Sequence, residues 1–178
     1  MDRTDSIVLA AGCFWCVEAV FTRINGVLNV LPGYTGGRIA NPTYREVCSG
    51  RTGHAEVVKV TFDPEVIDIV NLFSVFFATH DPTTLNKQGG DVGTQYRSAI
   101  FPASKVQRDI AEAAIQAANE SGNWTNQIVT TVEDLEEFYL AEDYHREYFT
   151  KNEEAPYCNA VIAPKLLKFE KKFSELLK

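Results

Sequence analysis

The sequence predicts an α/β (α+β) fold: a two-layer sandwich of a mixed β-sheet with helices packed mainly on one side, and a ferredoxin-like core. Three observations carry this prediction. Strand-like and helix-like segments alternate from Ser6 to Val132. The two segments that follow have helical spacing. The 178 residues are 45% hydrophobic and 23% charged, the balance of one globular domain rather than a disordered or fibrous chain. We expect a single domain over residues 1–178, with a core of about 6–160 and a C-terminal helix of about 164–178.

The elements follow in order. Ser6–Ala10 is short, apolar and β-branched, as suits a buried first strand. Phe14–Arg23 places Val17, Val20 and Phe21 near helical spacing, and Asn25-Gly26 ends the helix. Val27–Tyr34 reads as extended and Thr35-Gly36-Gly37 as a turn. Asn41–Thr52 is polar, with Pro42 and Gly50, and reads as loop or short helix. In Ala55–Phe62, Val58, Val60 and Phe62 alternate with Val57, Lys59 and Thr61, the pattern of a half-buried strand. Asp63-Pro64-Glu65 is a good helix start, and Val66–Thr79 carries a broad apolar face.

Asp81–Thr94 is rich in Gly, Asp, Thr and Pro, and loops of this length in compact domains are often functional. Tyr96–Phe101 reads as a strand. Ser104 caps a helix that runs to about Asn119 and stops near Gly122. Ile128–Val132 reads as a strand. Glu136–Lys151 and Pro164–Lys178 read as helices joined by a polar loop.

Composition excludes several functions. Acidic residues outnumber basic ones 24 to 17, for a net charge of −7, and no basic stripe offers itself to a nucleic acid. The lysines of Lys165–Lys172 alternate with Leu166, Leu167, Phe169 and Glu170 and read as a solvated helix face. No apolar stretch is long enough to span a bilayer, and no basic start leads into an apolar run. No membrane association and no secretory leader are therefore expected. A cytoplasmic, reducing compartment is the default, where thiols serve chemistry or metals more than bridges. A P-loop and a Gly-x-Gly-x-x-Gly turn after a strand are both lacking, so no nucleotide is expected. The default oligomeric state is a monomer.

Three clusters could carry chemistry. Gly12-Cys13-Phe14-Trp15-Cys16 joins the first strand to the first helix. A thiol there meets unpaired N–H groups and the positive end of the helix, which favour the nucleophilic thiolate. Cys16 is one turn on, close enough to close a disulfide. The same two cysteines also suit small buried hydrophobes, a thioredoxin-like Cys-x-x-Cys pair, or half of a zinc site with Cys48 and Cys158. Glu56, at the head of a strand in Gly53-His54-Ala55-Glu56, is either a solvated edge residue or a carboxyl kept protonated by burial that serves as an acid. Asp91 and Tyr96 lie in the 90–98 segment and Tyr44 in another polar loop. Taken singly, each suits packing or a turn.

Taken together, Gly12–Trp15, Gly53–Glu56 and Gly93-Thr94-Gln95-Tyr96-Arg97-Ser98, in this order and spacing, resemble the A-type peptide methionine sulfoxide reductases. The resemblance extends to 33–37, 41–44, 47–50, 79–83 and Ala141-Glu142-Asp143-Tyr144-His145, and so covers most of 6–160. It implies reduction of the S epimer of methionine sulfoxide, free or within proteins. The family nucleophile falls on Cys13 and the apolar pocket for the substrate methyl on Phe14 and Trp15. The groups holding the sulfoxide oxygen fall on Glu56, Tyr44 and Tyr96, with Asp91 in the same site. A sulfoxide is a poor electrophile until its oxygen is protonated, so a thiol and an acid must act together. The product on Cys13 is a sulfenic acid, which a second thiol resolves. Many relatives carry that thiol in a Gly-rich C-terminal tail, which this chain lacks. Here Cys16 is the first choice, Cys158 the second and Cys48 a spectator. Thioredoxin is the implied reductant, with no metal and no other cofactor.

Overall fold

The computed structural model describes residues 3–178, so residues 1–2 of the expected domain lie outside it. The elements in chain order are β1 (Asp5–Ala11), α1 (Phe14–Phe21), β2 (Val27–Thr35), α2 (Tyr44–Cys48), β3 (Ala55–Phe62), α3 (Ile69–Ala78), β4 (Lys87–Gln88), β5 (Asp91–Val92), β6 (Ser98–Phe101), α4 (Lys105–Glu120), β7 (Thr131–Val132), β8 (Tyr139–Leu140), α5 (Tyr148–Lys151) and α6 (Ala163–Lys172). Six strands form one mixed sheet in the order β7-β6-β1-β3-β2-β8, and β4 and β5 form a separate small hairpin. All neighbours in the large sheet are antiparallel except β6 and β7. The inner order β6-β1-β3-β2, with α1 between β1 and β2 and α3 between β3 and β6, is the expected ferredoxin-like core.

The central strand β1 is apolar on both faces because both faces are covered. Ile7 and Leu9 join Val58, Val60, Phe62 and Ile100 under the helices, where Phe21, Leu72, Phe73 and Phe76 are buried. Val8 and Ala10 face the other way, with Ala55, Val57 and Phe101, beneath Leu135 and Phe138. The alternation in β3 is therefore blurred: Val57 is buried on the second face, and only Lys59 and Thr61 are partly open.

Local chemistry sets most boundaries. Thr43 and Glu46 form a capping box that starts α2 inside the expected polar loop. Ser104 caps α4 by accepting from the Gln107 N–H at 3.2 Å. The start of α3 falls later than expected. Asp63 folds its own turn, accepting from the Glu65 N–H at 2.9 Å, and Asp68 is the cap, accepting from the Val70 N–H. Tyr96 belongs to a 3₁₀ turn (Thr94–Tyr96) before β6, and only Thr131 and Val132 of the strand expected over Ile128–Val132 pair.

The helix expected over Glu136–Lys151 is a correction. Tyr139 and Leu140 instead pair with the open edge of β2, followed by a 3₁₀ turn (Asp143–His145) and the short α5. Sheet-edge hydrogen bonds and two polar side chains drawn inward outweigh the local helical spacing. The C-terminal helix is also shorter than 164–178. It opens from a π-helical turn (Cys158–Ile162), ends at Lys172, and yields to a 3₁₀ turn and a bridge from Leu177 to Ile24.

Candidate active site

The site is built where β1 hands the chain to α1. Gly12 sits at φ +89°, and a Cβ there would lie 2.6 Å from Gln88 Cγ, so only glycine makes this turn. Cys13 then occupies the N-cap of α1. Its carbonyl accepts from the Cys16 N–H at 3.1 Å, bringing Cys16 onto the same side. The two thiols line one cleft, and each shifts the titration of the other. Burial pushes the Cys13 thiol well above its ordinary range, and the Cys16 neighbour adds to the rise. Cys16 moves down to about 7, because the Cys13 hydrogen bond outweighs burial and Lys165 adds its charge. The helix start alone favours a Cys13 thiolate. In the resting site Cys16 is instead the thiol that ionises first, and Cys13 keeps its proton the longer. Cys13 keeps a sliver of surface, 7%, in a cleft shared with Asp91, Tyr157 and Lys165.

Glu56 comes from β3, opposite Tyr34 of β2 in register. It is 1% exposed. Its Oε1 accepts from the Phe14 N–H at 3.1 Å, and its Oε2 is buried without a partner. Burial drives its pKa up to about 8, over the opposing Phe14 hydrogen bond, with the Asp91 and Cys16 charges adding. The strand thus delivers a protonated carboxyl to the first turn of α1, next to Cys13.

Tyr44 opens α2, its ring stacked on Phe14 at 6.1 Å and 16°. Burial, and next the Glu56 charge, raise both the Tyr44 and the Tyr96 phenols, so each stays a donor. Both phenols reach the Cys48 thiol. Phe14 lies wholly beneath the aromatic stack, whereas Trp15 keeps part of its ring accessible. Asp91 faces the thiol pair from β5, and its charge is also felt by Glu56 and Tyr96. It accepts from the Tyr157 hydroxyl at 2.7 Å, and that hydroxyl lies 3.8 Å from Cys16 Sγ. Cys158 is fully buried, and its thiol is raised by burial and by the charge on nearby Cys16.

Four site residues carried no assignment in the sequence reading. Glu142 accepts from the Tyr34 hydroxyl at 2.8 Å and from the Tyr44 N–H at 2.9 Å, locking α2 against β2. His145 accepts from Trp15 Nε1–H at 2.9 Å and sits 4.9 Å from the Phe14 ring. Tyr157 and Lys165 border the thiols. Glu142 and His145 lie within the Ala141–His145 motif, but a continuous helix there hides their convergence. Lys165 is half-buried in the cleft, not on the solvated face the charge pattern suggests. Among the described residues, no group of three or more His, Cys, Asp or Glu could hold a metal ion, and no helix is long and apolar enough to cross a membrane.

Two thiols at the head of one helix, one ionising before the other, can take up and return an electron pair. That chemistry, on an α+β sandwich, defines a thiol-based oxidoreductase. The profile of the family described as peptide methionine sulfoxide reductase matches residues 5–177, and the chain belongs to that family, enzymes of the methionine sulfoxide reductase type. Peptide methionine sulfoxide reductase MsrA of Trichodesmium erythraeum (strain IMS101) is 54% identical over 171 residues, 96% of this chain and 97% of the relative. Mxr1 from Saccharomyces cerevisiae in reduced form superposes with a TM-score of 0.80 at 36% identity, over 88% of this chain and 90% of that one. Mxr1 in complex with Trx2 matches with a TM-score of 0.56 at 26% identity, over 82% and 85% of the two chains.

Proposed function

We propose that this enzyme reduces the S epimer of methionine sulfoxide, free and within proteins, by attack of Cys13 on the sulfoxide sulfur. The observation that carries the reading is Glu56: a buried carboxyl, protonated near neutral pH, beside the thiol pair with one oxygen unspent. Cys13 attacks as its proton passes to the Cys16 thiolate. Glu56 gives its proton to the sulfoxide oxygen, held by the Tyr44 and Tyr96 hydroxyls. Trp15, over Phe14, is the apolar wall against the substrate methyl. The sulfur–oxygen bond breaks, methionine leaves, and Cys13 becomes a sulfenic acid. The sulfoxide is reduced by two electrons and Cys13 oxidised by two.

The spent Glu56 carboxylate, which burial favours in its protonated form, takes the proton of the Cys16 thiol. Cys16 then closes a disulfide with Cys13, favoured over Cys158 because it lies one turn on and lines the same cleft, from which Cys158 is absent. A thioredoxin reduces that disulfide by exchange, a reading supported by the Mxr1 complex with Trx2. All four cysteines are free thiols, in keeping with a reducing, cytoplasmic setting and with repair of oxidised proteins.

Single-turnover assays on separated epimers test the reading. One equivalent of methionine is expected per chain from the S epimer and none from the R epimer, and Cys13→Ser abolishes both product and disulfide. Turnover by Cys13→Ser would overturn the mechanism.

A further inference from the structure

The cleft beside the thiols holds a cluster that the reduction step leaves unused. Lys165, on the first turns of α6, opens onto the same cleft as Cys13 and Cys16. Tyr157, one residue before the π-helical turn, places its hydroxyl 3.8 Å from Cys16 Sγ and donates at 2.7 Å to Asp91. A single half-buried cation therefore shares the cleft with both thiols, and of the two acids that line it Asp91 is already engaged by a phenol. We propose that Lys165 is a positioning residue for the second half of the reaction: its charge, in the cleft it shares with both thiols, holds Cys16 as the thiolate that attacks the Cys13 sulfenic acid. The proposal rests on Cys16 as the resolving thiol.

The step balances. The Cys16 thiolate attacks the sulfenic sulfur, a sulfur–sulfur bond forms and the sulfur–oxygen bond breaks. The departing hydroxide takes the Glu56 proton and leaves as water. Cys16 is oxidised by one electron and the Cys13 sulfur reduced by one. The groups facing Cys16 are Cys13 at the head of α1, Glu56 of β3, Asp91 of β5, Tyr157 and Cys158 near the π-helical turn, and Lys165 of α6. Lys165 is the one cation among them. The other neighbours of the lysine, His80 and Asp81, line the same cleft, and burial holds His80 neutral, with its pKa down to about 4.

The test follows disulfide closure in a single turnover, quenched with an alkylating agent and read by mass, as a function of pH. In Lys165→Gln the midpoint of the rising, acid limb of the closure profile is expected to move up by about one pH unit, while the fall set by Glu56 stays in place. A less stabilised thiolate is scarcer but more nucleophilic. Closure should therefore slow roughly threefold at pH 6 and quicken roughly threefold above pH 9. Lys165→Arg should keep the wild-type profile, and so should Lys168→Gln, which alters an exposed lysine outside the cleft. An unmoved midpoint, or an equal loss at every pH, overturns the role of Lys165. A disulfide that still forms in Cys16→Ser overturns instead the reading beneath it, that Cys16 resolves.

Discussion

At the scale of single residues, the site depends on proton placement. Glu56 and the thiol pair exchange one proton through the cycle: burial raises Glu56 and Cys13, and the Cys13 neighbour lowers Cys16. Glu56→Gln keeps an oxygen for the Phe14 N–H but has no acid proton. Methionine formation in a single turnover should fall about 10²–10⁴-fold, and an unchanged rate would remove Glu56 from the acid role. The same burial has a stability cost. The folded carboxyl titrates near 8 against an ordinary 4.5, so the folded chain keeps a proton that the unfolded chain releases. Stability from this group is complete below pH 4.5, is lost as pH rises to about 8, and is flat beyond. The slope is on the order of 1.4 kcal/mol per pH unit. Urea titrations at pH 5 and pH 8 should show the loss in wild type and a smaller one in Glu56→Gln. Cys13, Cys16 and Glu56 were legible as candidates because they lie in short local motifs, which the fold brings together. Tyr157 and Lys165 were not, because a tyrosine beside a cysteine and a lysine in a mixed helix carry no signal until α6 folds back onto α1.

At the scale of elements, what local chemistry dictates was readable and what distant pairing dictates was not. The Ser104 cap and the Gly12 turn are short-range features, and both appear where the residues place them. Ser104→Ala should cost about 1 kcal/mol through loss of the α4 cap. The segment after residue 136 has helical spacing, yet β8 is claimed by the edge of β2, and the turn beyond it carries Glu142 and His145 into the site. Glu142 shows why the detour holds. Hydrogen bonds from Tyr44 and Tyr34 keep its carboxyl below the usual carboxylate range despite burial. Glu142→Ala strips the acceptor from a buried Tyr34 hydroxyl and from the first N–H of α2. A loss of about 1–3 kcal/mol is expected by urea unfolding, with a raised KM as Tyr44 loses its anchor. Unchanged stability and KM would show that α2 is held elsewhere.

At the scale of the whole molecule, the sheet order explains why the chemistry falls where it does. Placing β1 at the centre, between β3 and β6, sets the head of α1 directly over Glu56 and beside the loop that carries Asp91. The alternation of strands and helices was enough to read a mixed sheet with helices packed against it, and the resemblance in the motifs, not the alternation, grouped Cys13, Glu56 and Asp91. The covering of the second sheet face by the 133–138 segment was not readable, since Leu135 and Phe138 sit in a polar stretch. Leu9, fully buried in the central strand, tests the frame: Leu9→Ala should cost about 2–5 kcal/mol without moving the Glu56 titration. The most direct measurement is that titration itself, the Glu56 carboxyl followed by carbon-13 NMR in the reduced enzyme. A midpoint near 8, with the group protonated at pH 7, is the predicted result. A midpoint near the ordinary 4.5 would mean that the proton on which the reaction depends is not there.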